Sequence, residues 1–190
     1  MNKETRFNPH STELRVADTP EGKWLEGYAI VWNSRSVDLG GFVEVVAPTA
    51  LDESLKTNPD VLMLRDHDSS NVLGRAPKTL TLTQDAKGLR FSCLLPNTQQ
   101  ANDLVESIRR QDVRSCSFGF VAVRDSWAKD HGGQRVRTLE QINLKETSVV
   151  TFPAYPDTSV ATRSLASVTE AEGQDVRLAL LEIAKRKASY

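Results

Sequence analysis

A β-rich α+β domain, barrel-like and with two internal helices, is the fold class this sequence predicts. Two observations carry that expectation. Short runs rich in β-branched and aromatic residues recur through most of the chain, separated by Gly, Pro and Asp turns. Between them lie only two internal stretches with helical character, so strands dominate. A third consideration favours closure: so many strands would leave exposed edges unless the sheet curled on itself.

Residues 1–24 are polar and read as an irregular N-terminal arm ahead of a domain spanning 25–163. Residues 25–33 (LEGYAIVWN) and 42–46 (FVEVV) have strand composition, with a loop ending in Gly40-Gly41 between them. Thr49 opens a short helix through Lys56, with Asp52 in capping-box position. Residues 61–66 (VLMLRD) form a short apolar strand that delivers His67 at its end.

Strands are then expected over 71–75, 79–84 and 89–95, divided by Pro77 and the Asp85-Ala86-Lys87-Gly88 turn. Leu80 and Leu82 alternate with threonines, the pattern of a half-buried strand. Residues 98–110 give the clearest helix, because Ala101, Leu104, Val105 and Ile108 fall at i, i+3, i+4 and i+7. A long strand over 113–124 follows, then a polar loop at 127–133, its hairpin partner at 135–142, and a further strand at 144–152 closed by Pro153. From Ser164 the composition turns to Ser, Ala, Thr, Glu and Gly, which reads as a linker, and 176–187 has helical propensity; 164–190 is therefore expected to be a linker and C-terminal helix.

The 190 residues, 39% apolar and 26% charged, suffice for a packed core. A net charge of −1 with interspersed signs argues against a nucleic-acid partner. No apolar run is long enough to span a bilayer, and the polar N-terminus does not read as a secretory signal, so no membrane partner is expected. The two cysteines and three histidines lack metal-ligand spacing, and no phosphate-binding glycine loop occurs. Neither a metal nor a cofactor is expected.

Three residues on separate strands could perform hydrolysis. In Arg114-Ser115-Cys116-Ser117-Phe118-Gly119-Phe120 the strand period puts Ser115, Ser117 and Gly119 on one face and Cys116, Phe118 and Phe120 on the other. The phenylalanine face suits the core, which leaves the serines as candidate nucleophiles and Cys116 as a packed small residue. Serine attacks poorly unless a base takes its proton, and His67, at a strand end, suits that role with a reference pKa of about 6.5. Glu146 shares its apparent face with Leu144, Val150 and Phe152, where a carboxylate requires a partner. A histidine N–H, an arginine or backbone donors would each serve. His10 and His131 sit in polar surroundings and read as surface residues.

Five segments in order carry a resemblance: 27–33 (GYAIVWN), 42–51 (FVEVVAPTAL), 64–68 (LRDHD), 117–120 (SFGF) and 144–154 (LKETSVVTFPA). Together they resemble the prohead maturation proteases of HK97-type tailed bacteriophages, over about residues 25–163. The resemblance implies a fold like that of the herpesvirus assembly protease, a β-barrel serine protease flanked by helices. It implies His67 as general base and Ser117 as nucleophile, with Glu146 in the third place, where the herpesvirus enzymes have a second histidine. Ser115 remains the lesser alternative. The implied activity is a serine endopeptidase inside the immature procapsid, in the host cytoplasm. Its implied partners are the major capsid protein with its scaffolding segment, and itself through autoproteolysis; a homo-oligomer is an open alternative. A non-catalytic assembly module and a cysteine protease using Cys116 are the rival readings.

Overall fold

The computed structural model describes residues 3–8, 14–151 and 170. In chain order these form β1 (Glu4–Asn8), β2 (Arg15–Thr19), β3 (Gly22–Val31), β4 (Phe42–Val46), α1 (Asp52–Thr57), β5 (Leu62–Arg65) and β6 (Asp68–Arg75). There follow β7 (Leu80–Gln84), β8 (Gly88–Leu94), α2 (Gln99–Arg109), β9 (Ser115–Lys129) and β10 (Arg135–Val150). The linker and helix expected at 164–190 lie, Glu170 apart, outside the described residues.

The strands make two sheets. One runs β1-β9-β10-β5-β6, with β4 also paired to β10; the other runs β2-β3-β8-β7. One continuous core joins them, with Leu25, Ile30 and Phe91 from the second sheet and Met63, Phe118, Phe120 and Val149 from the first. The strand-rich α+β class is as expected, but among the described residues no sheet closes into a barrel. Polar edges do the work assigned to closure: β6 opens with Asp68-Ser69-Ser70-Asn71, and β7 carries Thr81, Thr83 and Gln84.

Three further expectations need correction. The stretch read as an irregular arm holds β1 and β2, which gain from pairing what composition alone does not offer. The strands expected at 135–142 and 144–152 are one strand, and β9 runs on to Lys129, taking in the first three residues of the supposed loop. There Trp127 packs at a tilt on Phe42, with ring centroids 4.8 Å apart. Helix α1 begins at Asp52 rather than Thr49, whose carbonyl instead closes a turn with the Asp52 N–H. Helix α2 is as read: Thr98 Oγ1 accepts from the Ala101 N–H at its start, and Ala101, Leu104, Val105 and Ile108 are its buried residues.

The longest strand, β10, organises the rest. Its first part pairs in parallel with β4 and its last part in parallel with β5, while β9 lies antiparallel along its other side. Between β4 and β5 the segment holding α1 supplies the missing hydrogen bonds. Ile142 N–H donates to the Ala50 carbonyl at 2.9 Å, and Leu144 N–H donates to Ser54 Oγ at 2.9 Å. Just beyond, the β9 register slips: Leu144 faces Phe120 but Glu146 faces Gly119, so Lys145 is a bulge. Uncorrected alternation keeps Glu146 on the face of Leu144, toward the phenylalanines. The bulge moves it to the face of Ser117.

Ser54 is buried, and its hydroxyl is the partner of the backbone at this bulge. Ser54→Ala leaves a buried Leu144 N–H unpaired and is expected to cost about 1–3 kcal/mol in urea unfolding. Unchanged stability would show that the bulge needs no such support.

Candidate active site

His67 is set by a tight two-residue turn. Arg65 of β5 faces Asp68 of β6, so Asp66 and His67 alone form the hairpin loop, with φ of 50° and 61°. Both angles lie in the left-handed region that two-residue hairpins use, a conformation in which Asp and His are enriched. Asp66 anchors the turn to the end of β10. Its N–H donates to the Val149 carbonyl at 2.9 Å, and its carboxylate accepts from the Thr151 N–H at 2.7 Å and the Thr151 hydroxyl at 3.2 Å. The Asp66 carboxylate is thus committed to Thr151 and not to the imidazole.

From that turn the imidazole reaches both other candidates. Nε2 lies 2.7 Å from Ser117 Oγ, and Nδ1 lies 2.7 Å from Glu146 Oε1. Sequence reasoning named all three residues, and the fold brings them together. Ser115 is not part of this chain of hydrogen bonds. Cys116 lies in the core with Phe118 and Phe120, on the face opposite Ser117. Cys93 is also buried, and burial pushes its thiol pKa up to about 12. Neither thiol is placed to attack a peptide.

Residues around Glu146 escaped the sequence reading. The Ser148 hydroxyl donates to Glu146 Oε2 at 2.6 Å, and Lys3 Nζ lies 3.2 Å from Oε1. Burial alone would raise the Glu146 pKa. The hydrogen bond and charge of His67, with Ser148 and Lys3, outweigh it and hold the carboxyl below its ordinary value. Gly119 is the other omission: a Cβ there would collide with Glu146 Oε1 and crowd the Lys3 stem. A glycine inside a strand often marks the close approach of another backbone or a ligand. Its space is filled instead by the carboxylate, which could have been inferred only by knowing that Glu146 faces Gly119 across the sheet.

Ser117 is fully buried because β1 lies along β9, with Phe7 opposite Ser117. Its Oγ also lies 2.9 Å from the Arg6 carbonyl oxygen. A hydroxyl has one hydrogen. It goes either to His67 Nε2, leaving Nδ1–H for Glu146, or to the Arg6 carbonyl, in which case both imidazole nitrogens must carry protons. The first arrangement is that of an activated nucleophile.

A hydroxyl, an imidazole and a carboxylate in series are the parts of a serine hydrolase. The family model described as caudovirus prohead serine protease matches residues 10–171. The chain belongs to that family. Its members are serine proteases of phage capsid maturation, and that is the activity of this chain. Among solved structures, the bacteriophage T4 capsid assembly protease, gp21, superposes with a TM-score of 0.53, covering 80% of this chain and 100% of that one. At 11% identity this likeness concerns the fold alone. A search of curated proteins gave no significant match.

Three outcomes test this prohead protease site. Gly119→Ala should fold yet lose roughly a hundredfold in peptidase kcat, since displacing the carboxylate misplaces the base; near-parental kcat would contradict the packing described. A thiol-specific alkylating reagent should leave the native protease active. The folded Glu146 carboxyl titrates below its unfolded value of about 4.3, so its stabilisation is complete above that pH and is lost as pH falls through the folded value. Denaturant titrations below about pH 4.3 should therefore show the parent losing stability relative to Glu146→Gln.

Proposed function

We propose that Ser117 is the nucleophile, His67 the general base and acid, and Glu146 the group that orients and stabilises the imidazolium. The observation that supports this reading is the continuous hydrogen-bond chain from Glu146 Oε1 through both ring nitrogens to Ser117 Oγ, each link 2.7 Å. Ser117 Oγ attacks the peptide carbonyl as its proton passes to His67 Nε2. His67 then gives that proton to the leaving amine, and the acyl group stays on Oγ. A water molecule next yields a proton to His67 and attacks the ester, releasing the acid and restoring the serine. Through both steps Glu146 keeps the Nδ1–H in place.

The substrates in this reading are the major capsid protein with its scaffolding segment, and the protease itself. The setting is the immature procapsid in the host cytoplasm. The arrangement also fits an assembly-protease fold of the herpesvirus kind in which a carboxylate replaces the second histidine. Glu146 suits that exchange because a buried carboxylate on the serine's face orients a ring N–H as well as an imidazole would.

Co-expression with the major capsid protein tests the assignment. Ser117→Ala should abolish cleavage while the protein remains folded and bound to its substrate. Glu146→Gln should fold but lose on the order of 10⁴-fold in kcat, the scale seen when a triad carboxylate becomes an amide. Undiminished processing by a folded Ser117→Ala chain would reject the nucleophile and favour a non-catalytic role for this serine.

A further inference from the structure

Strand β1 covers the nucleophile in a particular way. It is an edge strand, held to β9 alone within its sheet, and it supplies the backbone carbonyl that meets Ser117 Oγ. An extended peptide added to β9 would run over the same groups, as β-strand addition requires. The Arg6 carbonyl presents its oxygen, not its carbon, to Oγ, and so offers the serine an acceptor rather than a target. It thereby competes with His67 for the one hydroxyl hydrogen.

The side chain of Arg6 marks a second feature. It is buried on the opposite face of β1, where it seats against Glu44 beside a small cavity that Arg6 lines together with Ile30, Val46 and Phe118. Arg6 Nε lies 2.9 Å and Nη2 3.2 Å from the two Glu44 oxygens, and the guanidinium stands 5.6 Å from the Phe120 ring centroid. Glu44 is itself buried and also bound by Arg137 at 3.0 Å, which in turn holds Glu4 at 2.9 Å and Asp125 at 2.8 Å. Without β1 the cluster loses Glu4 and Arg6, one charge of each sign, and keeps Glu44, Asp125 and Arg137. The net charge of the cluster is the same with and without β1, but Glu44 then keeps only one of its two guanidinium partners in a low-dielectric wall, where an unpaired carboxylate oxygen is costly.

We propose that β1 occupies the substrate's place along β9, and that the peptide which displaces it carries Lys or Arg in the Arg6 seat, selected by Glu44. This rests on Ser117 being the nucleophile: the residue whose carbonyl meets Oγ is then the one before the scissile bond. Both Glu44 oxygens face the Arg6 guanidinium from a buried position, so an arriving cation is the fitting replacement for Arg6. A leucine there leaves Glu44 Oε1 without the guanidinium it faces. The device is both a cover and a specificity determinant.

The test separates seat from nucleophile. In the full chain carrying Arg6→Ala and Ser117→Ala, fluorescence anisotropy compares a labelled peptide containing Glu-Thr-Arg-Phe-Asn with one containing Glu-Thr-Leu-Phe-Asn. The arginine peptide should bind at least tenfold more tightly, and adding Glu44→Gln should bring the two within about twofold. Equal affinities, or a preference untouched by Glu44→Gln, would overturn the proposal. The unmodified chain gives an independent measurement, using peptides that differ only before the scissile bond. Arg and Lys should exceed Leu and Glu at least tenfold in kcat/KM, and the reverse order would overturn it. Cleavage persisting in Ser117→Ala would remove the nucleophile assignment alone, because the binding ratio is read without catalysis.

Discussion

The antiparallel pairing of β9 with β10, including its slip at Lys145, is the constraint on which the site depends. It sets Ser148 opposite Ser117 and Glu146 opposite Gly119, so that a carboxylate and a hydroxyl share one face of a twisted sheet. The bulge is what allows it. Regular alternation past Leu144 would turn Glu146 toward the phenylalanine core, where its charge would be costly. The backbone support comes from α1 through Ser54, so a short helix that contributes none of the three site residues supports the register of the acid. His67 joins from the neighbouring β5–β6 turn, itself tied to the end of β10 by Asp66. All three members are thus referred to one strand.

A second tier of charges lies behind the site. The buried Arg6, Arg137, Glu4 and Glu44, with the half-buried Asp125, form a cluster in which no guanidinium or carboxylate lacks an opposite charge. Such clusters contribute little net stability compared with apolar packing, but removing one partner is costly. A strand that brings one charge of each sign can leave with less imbalance than a strand bringing one alone. That pairing suits an element which must fit closely and still be exchangeable. It also explains why residues read as a loose polar arm are buried: their polarity is satisfied by partners distant in sequence, such as Glu44 and Arg137.

Much of the site was legible because strand alternation is local. The separation of Ser117 from Cys116 follows from a period of two and the strand-end position of His67 from the short apolar run before it, whereas the face first given to Glu146, that of Leu144, is overturned by the bulge. The helix over α2 was equally clear, since its buried face recurs within a few residues. What sequence reasoning missed depends on pairing between distant segments. The bulge at Lys145, the space left by Gly119 and the burial of Lys3's neighbours under β1 have no local signature. Closure into a barrel was expected from the number of strands, whereas polar edge strands solve the same problem without it.

The most direct measurement is covalent trapping of the serine. A small alkyl fluorophosphonate, followed by mass spectrometry of the intact and digested chain, should give one adduct, located on Ser117 and lost in His67→Ala. An adduct at Ser115 or elsewhere, or labelling of Ser117 that does not depend on His67, would contradict the account.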